Sequence, residues 1–97
     1  MLNSRQRAQL RALANGIDPI FQIGKGGIGE NMAEQIDLAL EKRELVKINV
    51  LETADVTAKE ALEILCEEIG AEPVQAIGRK IVLYKESREN KCIELVR

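Results

Sequence analysis

The chain has 97 residues, 45% hydrophobic and 31% charged, with formal net charge −2, two cysteines, two aromatics and no histidine. That length and apolar content suit one domain, residues 1–97, and with neither a run of ~20 apolar residues nor an apolar signal segment a soluble cytoplasmic domain is expected. Without imidazole there is no Ser-His-Asp or Cys-His pair, and two cysteines supply neither a disulfide scaffold nor a four-ligand zinc site; catalysis is disfavoured, being left to a carboxylate or lysine of shifted pKa, and no metal or cofactor is expected.

Asn3 and Ser4 are capping residues, and Gln6 stands three positions after Asn3, which predicts a helix over Ser4–Asn15 with Gly16 as its stop. Leu10, Leu13 and Ala14 share one side of it, while Arg7 and Arg11, at i and i+4, project together from another. Ile17-Asp18-Pro19 breaks the helix, and Ile20–Ile23 reads as a short buried strand. The glycine cluster Gly24–Gly29 follows. A second helix is expected from Gly29 to Lys42, burying Ile28, Met32, Ile36, Ala39 and Leu40 and turning Glu30, Glu34, Asp37 and Glu41 to water.

In Leu45–Leu51, Val46, Ile48 and Val50 alternate with Lys47 and Asn49, the period of a strand. A third helix reaches Ile69, opened by a Thr57/Glu60 capping box and ended by Gly70. Val74–Ile77 and Lys80–Lys85 form a hairpin across Gly78-Arg79. The charged tail, Glu86–Arg97, is expected either to add an edge strand or to dock the terminus. The order αβαβαββ predicts a two-layer α/β domain with a four-stranded mixed sheet, parallel where helices intervene and antiparallel at the hairpin.

The charge is unevenly distributed. Residues 1–27 carry four basic side chains against one acidic, residues 28–72 four against twelve, and residues 73–97 six against three. Where the chain ends meet in space, a basic face would oppose an acidic one; the plain alternative is a mixed, solvated surface.

Gly24-Lys25-Gly26-Gly27-Ile28-Gly29 admits three readings. As G-x-G-x-x-G between a strand and a helix it matches a dinucleotide fingerprint, with Glu44 or the better placed Glu52 as ribose acid, but one βαβ unit followed by a hairpin is too little for that fold. As a GxxG loop, Gly24–Gly27 lets backbone amides approach a phosphate, beside a helix N-terminus and with Lys25 as a mobile cation. As a plain turn it binds nothing. Other residues suit structural roles: Cys66 lies among apolar helix positions, Phe21 between strand apolars, and Glu63, Glu67 and Glu68 on a solvated face rather than a metal site. Tyr84 stays open between core and base stacking. With two aromatics, rows of stacked bases are not expected.

A wider set of segments resembles the CRM domain (chloroplast RNA splicing and ribosome maturation), in its stand-alone bacterial YhbY-type form. These are Arg7-Ala8-Gln9-Leu10-Arg11, Ala14, Pro19, Gly24-Lys25-Gly26-Gly27-Ile28, Ala39-Leu40-Glu41, Glu44-Leu45-Val46-Lys47, Gly70-Ala71, Val74–Gly78 and Val82-Leu83-Tyr84-Lys85. The resemblance implies a fold like the C-terminal domain of translation initiation factor three and an RNA-binding surface at the GxxG loop. It also implies association with ribosomal RNA in precursors of the large ribosomal subunit, with ribosomal proteins as further partners, and no catalysis. The residues it carries over are Gly24, Lys25, Gly26 and Gly27, with Arg7, Arg11 and Lys47; the charge distribution adds Arg79, Lys80 and Lys85. A pI near 5.2 departs from the more basic habit of that family. The alternatives are a nucleotide-binding protein using the same glycines, or a protein-interaction module using the acidic third helix.

Overall fold

Capping boxes start two of the three helices. In α1, Ser4–Ala14, the Asn3 side chain accepts from the Gln6 N–H and the Gln6 side chain accepts from the Asn3 N–H; Thr57 and Glu60 do the same for α3, Ala58–Ile69. Each box satisfies two otherwise orphaned donors and contributes about 1 kcal/mol. α3 stops as expected, at Gly70 with φ 78°. α1 ends differently. Its cap is Asn15 in right-handed geometry, and Gly16 needs no left-handed backbone. The intervening helix α2, Glu30–Arg43, ends on Glu44, the one non-glycine residue with positive φ (65°) among the described residues.

The strands of this computed structural model, which describes residues 2–97, are β1 Phe21–Ile23, β2 Leu45–Val50, β3 Glu72–Ile77 and β4 Lys80–Tyr84. The order across the sheet is β1-β2-β4-β3. β1 and β2 pair in parallel around the α2 crossover, and β4 is antiparallel to both β2 and β3. Thus β4 enters between β2 and β3. Its burial explains the central place: Ile81, Val82, Leu83 and Tyr84 are all inside, so both faces of this strand must be covered.

Alternation sorts the two faces. Ile23, Val46, Ile48, Val50, Ile81 and Leu83 meet Ile36 and Leu40 of α2 and Ala61, Leu65 and Ile69 of α3 in the main core. Leu45, Val74, Val82 and Tyr84 point the other way and meet Leu10 and Ala14 of α1, with Ile17, Ile93 and Leu95 packed beside them. The four-stranded mixed α/β sheet is as expected, and α2 and α3 form the expected second layer. α1 and the tail add a partial third layer on the opposite face. That layer follows from β4 and from Leu45, whose apolar side chains alternate to both sides and leave a second surface to bury.

The tail forms no strand. It docks on α1, where Gln6 Nε2 donates to the Val96 carbonyl, Gln9 Nε2 to the Glu94 carbonyl, and the Val96 N–H to Gln9 Oε1, all at 2.9 Å.

Candidate functional site

The turn after β1 is closed by one bond, from the Gly27 N–H to the Gly24 carbonyl at 2.9 Å, which leaves Lys25 and Gly26 at its corner. Gly27 has φ 71°, a region costly to a side chain. A Cβ placed on Gly26, Gly27 or Gly29 would meet nothing within 4 Å, so the backbone stands open. Gly24 is the seated one: its Cβ would lie 3.5 Å from Leu51 Cδ1 and 3.8 Å from Thr53 Oγ1, in the loop after β2. The Lys25 side chain is exposed, and among the described residues nothing pairs with it. Gly29 caps α2 without a side chain, so the first helical amides carry their partial positive charge at this turn, with exposed Glu30 in the first helical turn.

The β3–β4 turn lies at this same end of the sheet. The Val50 N–H donates to the Arg79 carbonyl at 2.7 Å, and the Leu51 N–H to the Ile23 carbonyl at 2.8 Å, so the ends of β1 and β2 and the hairpin are tied together. Arg79 faces Glu52 across an exposed 3.5 Å ion pair, an interaction of small strength in water. Lys80 pairs in register with Asn49, and Asn49 with Gln22. These three side chains therefore share the sheet face that α1 crosses, beyond the part it covers. On α1, Gln6 and Gln9 face the tail, while a 100° advance per residue sets Arg7 and Arg11 past the Leu10–Ala14 core line, on the opposite flank. Lys25, Arg79 and Lys80 thus gather at one end, with Arg7 and Arg11 along the neighbouring helix.

Two of the expected cations have internal partners. Lys47 is half-buried, and its Nζ donates to the Ala14 carbonyl at 3.2 Å and the Ile17 carbonyl at 3.5 Å, closing the C-terminal end of α1. Lys85 Nζ donates to the Ile69 carbonyl at 2.9 Å and to Asp37 at 2.8 Å, holding the end of α3 against α2. A cation is favourable at a helix C-terminus, which accounts for both placements.

Glu44, one of the two candidate ribose acids of the dinucleotide reading, is buried away from the glycines. Its Oε1 accepts from the N–H groups of Cys92 (2.6 Å) and Ile93 (2.8 Å), and its Oε2 from that of Ser87 (2.7 Å). Burial pushes its pKa up, but the backbone donors of Ser87, Ile93 and Cys92 together outweigh burial and hold it below the usual value. Glu41, expected to face water, accepts from the Arg88 and Glu89 N–H groups and the Ser87 hydroxyl, which pull its pKa down to about 2. These two carboxylates clasp the start of the tail. Sequence spacing gives no signal for them, because the partners lie more than 40 residues away.

Phe21 packs against the main core, and Tyr84 is buried, its hydroxyl pKa raised by burial and by Glu44 and Glu86. Cys66 is half-buried, and desolvation followed by the charge of Glu72 pushes its pKa up to about 11, far from a reactive thiolate. Among the described residues no group of acidic or sulfur side chains could hold a metal ion, and no helix is long and apolar enough to cross a membrane.

This architecture is that of the CRM domain. The CRS1/YhbY (CRM) family model matches residues 2–85, and the chain belongs to that family. It is 48% identical over 95 residues to the Bacillus subtilis protein named "Probable RNA-binding protein YqeI", covering 98% of this chain and 99% of that one. A Haemophilus influenzae protein named "RNA-binding protein" is 33% identical over 90 residues, covering 93% and 91% of the two chains. The solution structure of the hypothetical protein SAV1595 from Staphylococcus aureus superposes with TM-score 0.82 at 56% identity, covering 99% of this chain and 100% of the other.

Proposed function

We propose that this chain is a non-catalytic RNA-binding protein that holds RNA by its backbone. The observation that carries the reading is the open Gly24–Gly27 turn, with unpartnered Lys25 at its corner and the uncapped N-terminus of α2 behind it. Backbone amides that no side chain covers can approach a phosphate oxygen closely, and a helix N-terminus favours the negative charge there. Arg79 and Lys80 sit beside the turn, and Arg7 and Arg11 orient the strand along α1. The names of the B. subtilis and H. influenzae relatives support the same polymer. Family membership supports the finer proposal that the RNA is ribosomal, in precursors of the large subunit, with ribosomal proteins nearby.

Lys25→Ala tests the grip. It removes one exposed cation and no packing, so thermal stability should hold while RNA affinity falls about three- to tenfold. The slope of log K against log salt should also shrink by close to one unit, measured by fluorescence anisotropy between 50 and 200 mM salt, on the order of the range where such slopes are read. Unchanged affinity and slope would remove the loop from the interface. Sedimentation of a lysate through a sucrose gradient tests the ribosomal part. The protein should travel with large-subunit precursors and not with mature particles.

A further inference from the structure

We infer that the surface takes base-paired, A-form RNA through phosphates and 2′-hydroxyls, and does not take unstacked single strands; this rests on the RNA-binding reading above. Single-strand recognition depends on aromatic platforms for splayed bases. This chain has two aromatics, and neither lies on the sheet face beside the cations: Phe21, partly buried, packs against the main core on the other face, and Tyr84 is 5% exposed under α1. The sheet face beside the cations offers amides in their place. Gln22 is exposed, Asn49 is half-exposed, and both lie in register with Lys80.

A row of neutral amides flanked by Lys25, Arg79 and Lys80 matches the minor groove of an RNA duplex. There 2′-hydroxyls, which both donate and accept, run between two lines of phosphate. The supports are also rigid. Gln22, Asn49 and Lys80 project from paired strands; the hairpin is tied to β2 by the 2.7 Å bond, the ends of β1 and β2 to each other by the 2.8 Å bond, and the turn is closed by its own 2.9 Å bond. A fixed array suits a duplex of fixed shape better than a flexible strand.

The test is anisotropy with three labelled probes of about 20 nucleotides per strand: an RNA duplex, a U-rich single-stranded RNA, and a DNA duplex of matching sequence. The RNA duplex should bind about tenfold tighter than the single strand and several-fold tighter than the DNA duplex. In the Gln22→Ala/Asn49→Ala double variant the preference for RNA over DNA duplex should narrow, with the melting temperature unchanged. A single strand that binds as well as the duplex overturns the inference and leaves the RNA-binding reading standing. Equal binding of the two duplexes overturns the 2′-hydroxyl assignment. Failure of all three probes at low salt overturns both the inference and the reading beneath it.

Discussion

Glu44→Ala is expected to be among the most destabilising single substitutions at a polar position of this chain. The carboxylate is 1% exposed and, among the described residues, is the acceptor for three backbone donors, the N–H groups of Ser87, Cys92 and Ile93, at 2.6–2.8 Å. Hydrogen bonds to a charged group are worth about 1.5–3 kcal/mol each. Cys92 is exposed and its amide can rehydrate, and release of the carboxylate's own burial penalty returns part of the loss. A net cost of about 3 kcal/mol results, which for a domain of this size lowers Tm by about 12–20 °C. Alanine also keeps the φ of 65°, so Glu44→Gly, free of that strain, should recover about 1 kcal/mol. Thermal unfolding by circular dichroism gives the first number. Hydrogen exchange at Ser87, Cys92 and Ile93 shows whether the loss is local to the tail. A Tm within 2 °C or so of the parent, with those three amides still protected, would refute the clasp.

Lys47→Met keeps the buried stem and deletes the ammonium that donates to the Ala14 and Ile17 carbonyls; it should cost about 1 kcal/mol and lower Tm by about 5 °C in the same melts. Gly27→Ala places a side chain at φ 71° and should cost about 1 kcal/mol, whereas Gly26→Ala, in open space at ordinary φ, should leave stability unchanged in urea titrations. Both glutamates of the clasp have folded pKa values below their unfolded ones. Their contribution is therefore complete above about pH 4.5 and is lost as pH falls towards 2, the value to which Glu41 is lowered. Amide chemical shifts of Ser87, Arg88 and Glu89 should follow that loss; a midpoint at the ordinary 4.5 would contradict it.

Much of the fold could be read from local chemistry. The capping boxes at Asn3/Gln6 and Thr57/Glu60, the stop at Gly70 and the Gly78-Arg79 hairpin all sit where residue type and backbone geometry agree over a few positions. The turn at Gly24–Gly27 was legible for the same reason. Less legible were features decided by distant partners. Nothing near Lys47 or Lys85 says that each reaches a helix terminus, the first at Ala14 and the second at Ile69. Glu41 and Glu44 look like solvent-facing helix-end acids until the tail folds back on them. The third layer was hidden likewise, because the apolar face of Leu45, Val82 and Tyr84 is one half of a strand alternation whose partner is the first helix. Gln22 and Asn49 carried one weak signal, their place between buried neighbours on a strand, which marks the uncovered face without saying what lies across it.

An acidic chain can still favour a polyanion if its charges are layered, and this fold layers them. Residues 28–72, with twelve acidic side chains, form α2, β2 and α3, and six of those acids (Glu30, Glu34, Glu60, Glu63, Glu67 and Glu68) are exposed on the two helices. Lys80 and Arg11 belong to the opposite side of the sheet and Lys25 and Arg79 to its end, while Arg7 sits at the β3 edge in a groove it shares with Lys59 and Glu63 of α3. The shortest dimension of the molecule is 22 Å, and at physiological ionic strength exposed charges are screened over about 8 Å. Exposed acids on the outer helix faces are screened by solvent salt, whereas in the proposed reading a phosphate docked at the turn would meet Lys25 directly. In the proposed reading, net charge governs how the chain meets RNA at a distance, and local charge governs how it holds on. The acids set to oppose the proposed phosphate at that end of the sheet are Glu30 in the first turn of α2, Glu52 paired with Arg79, and Asp55 in the groove that Arg79 lines.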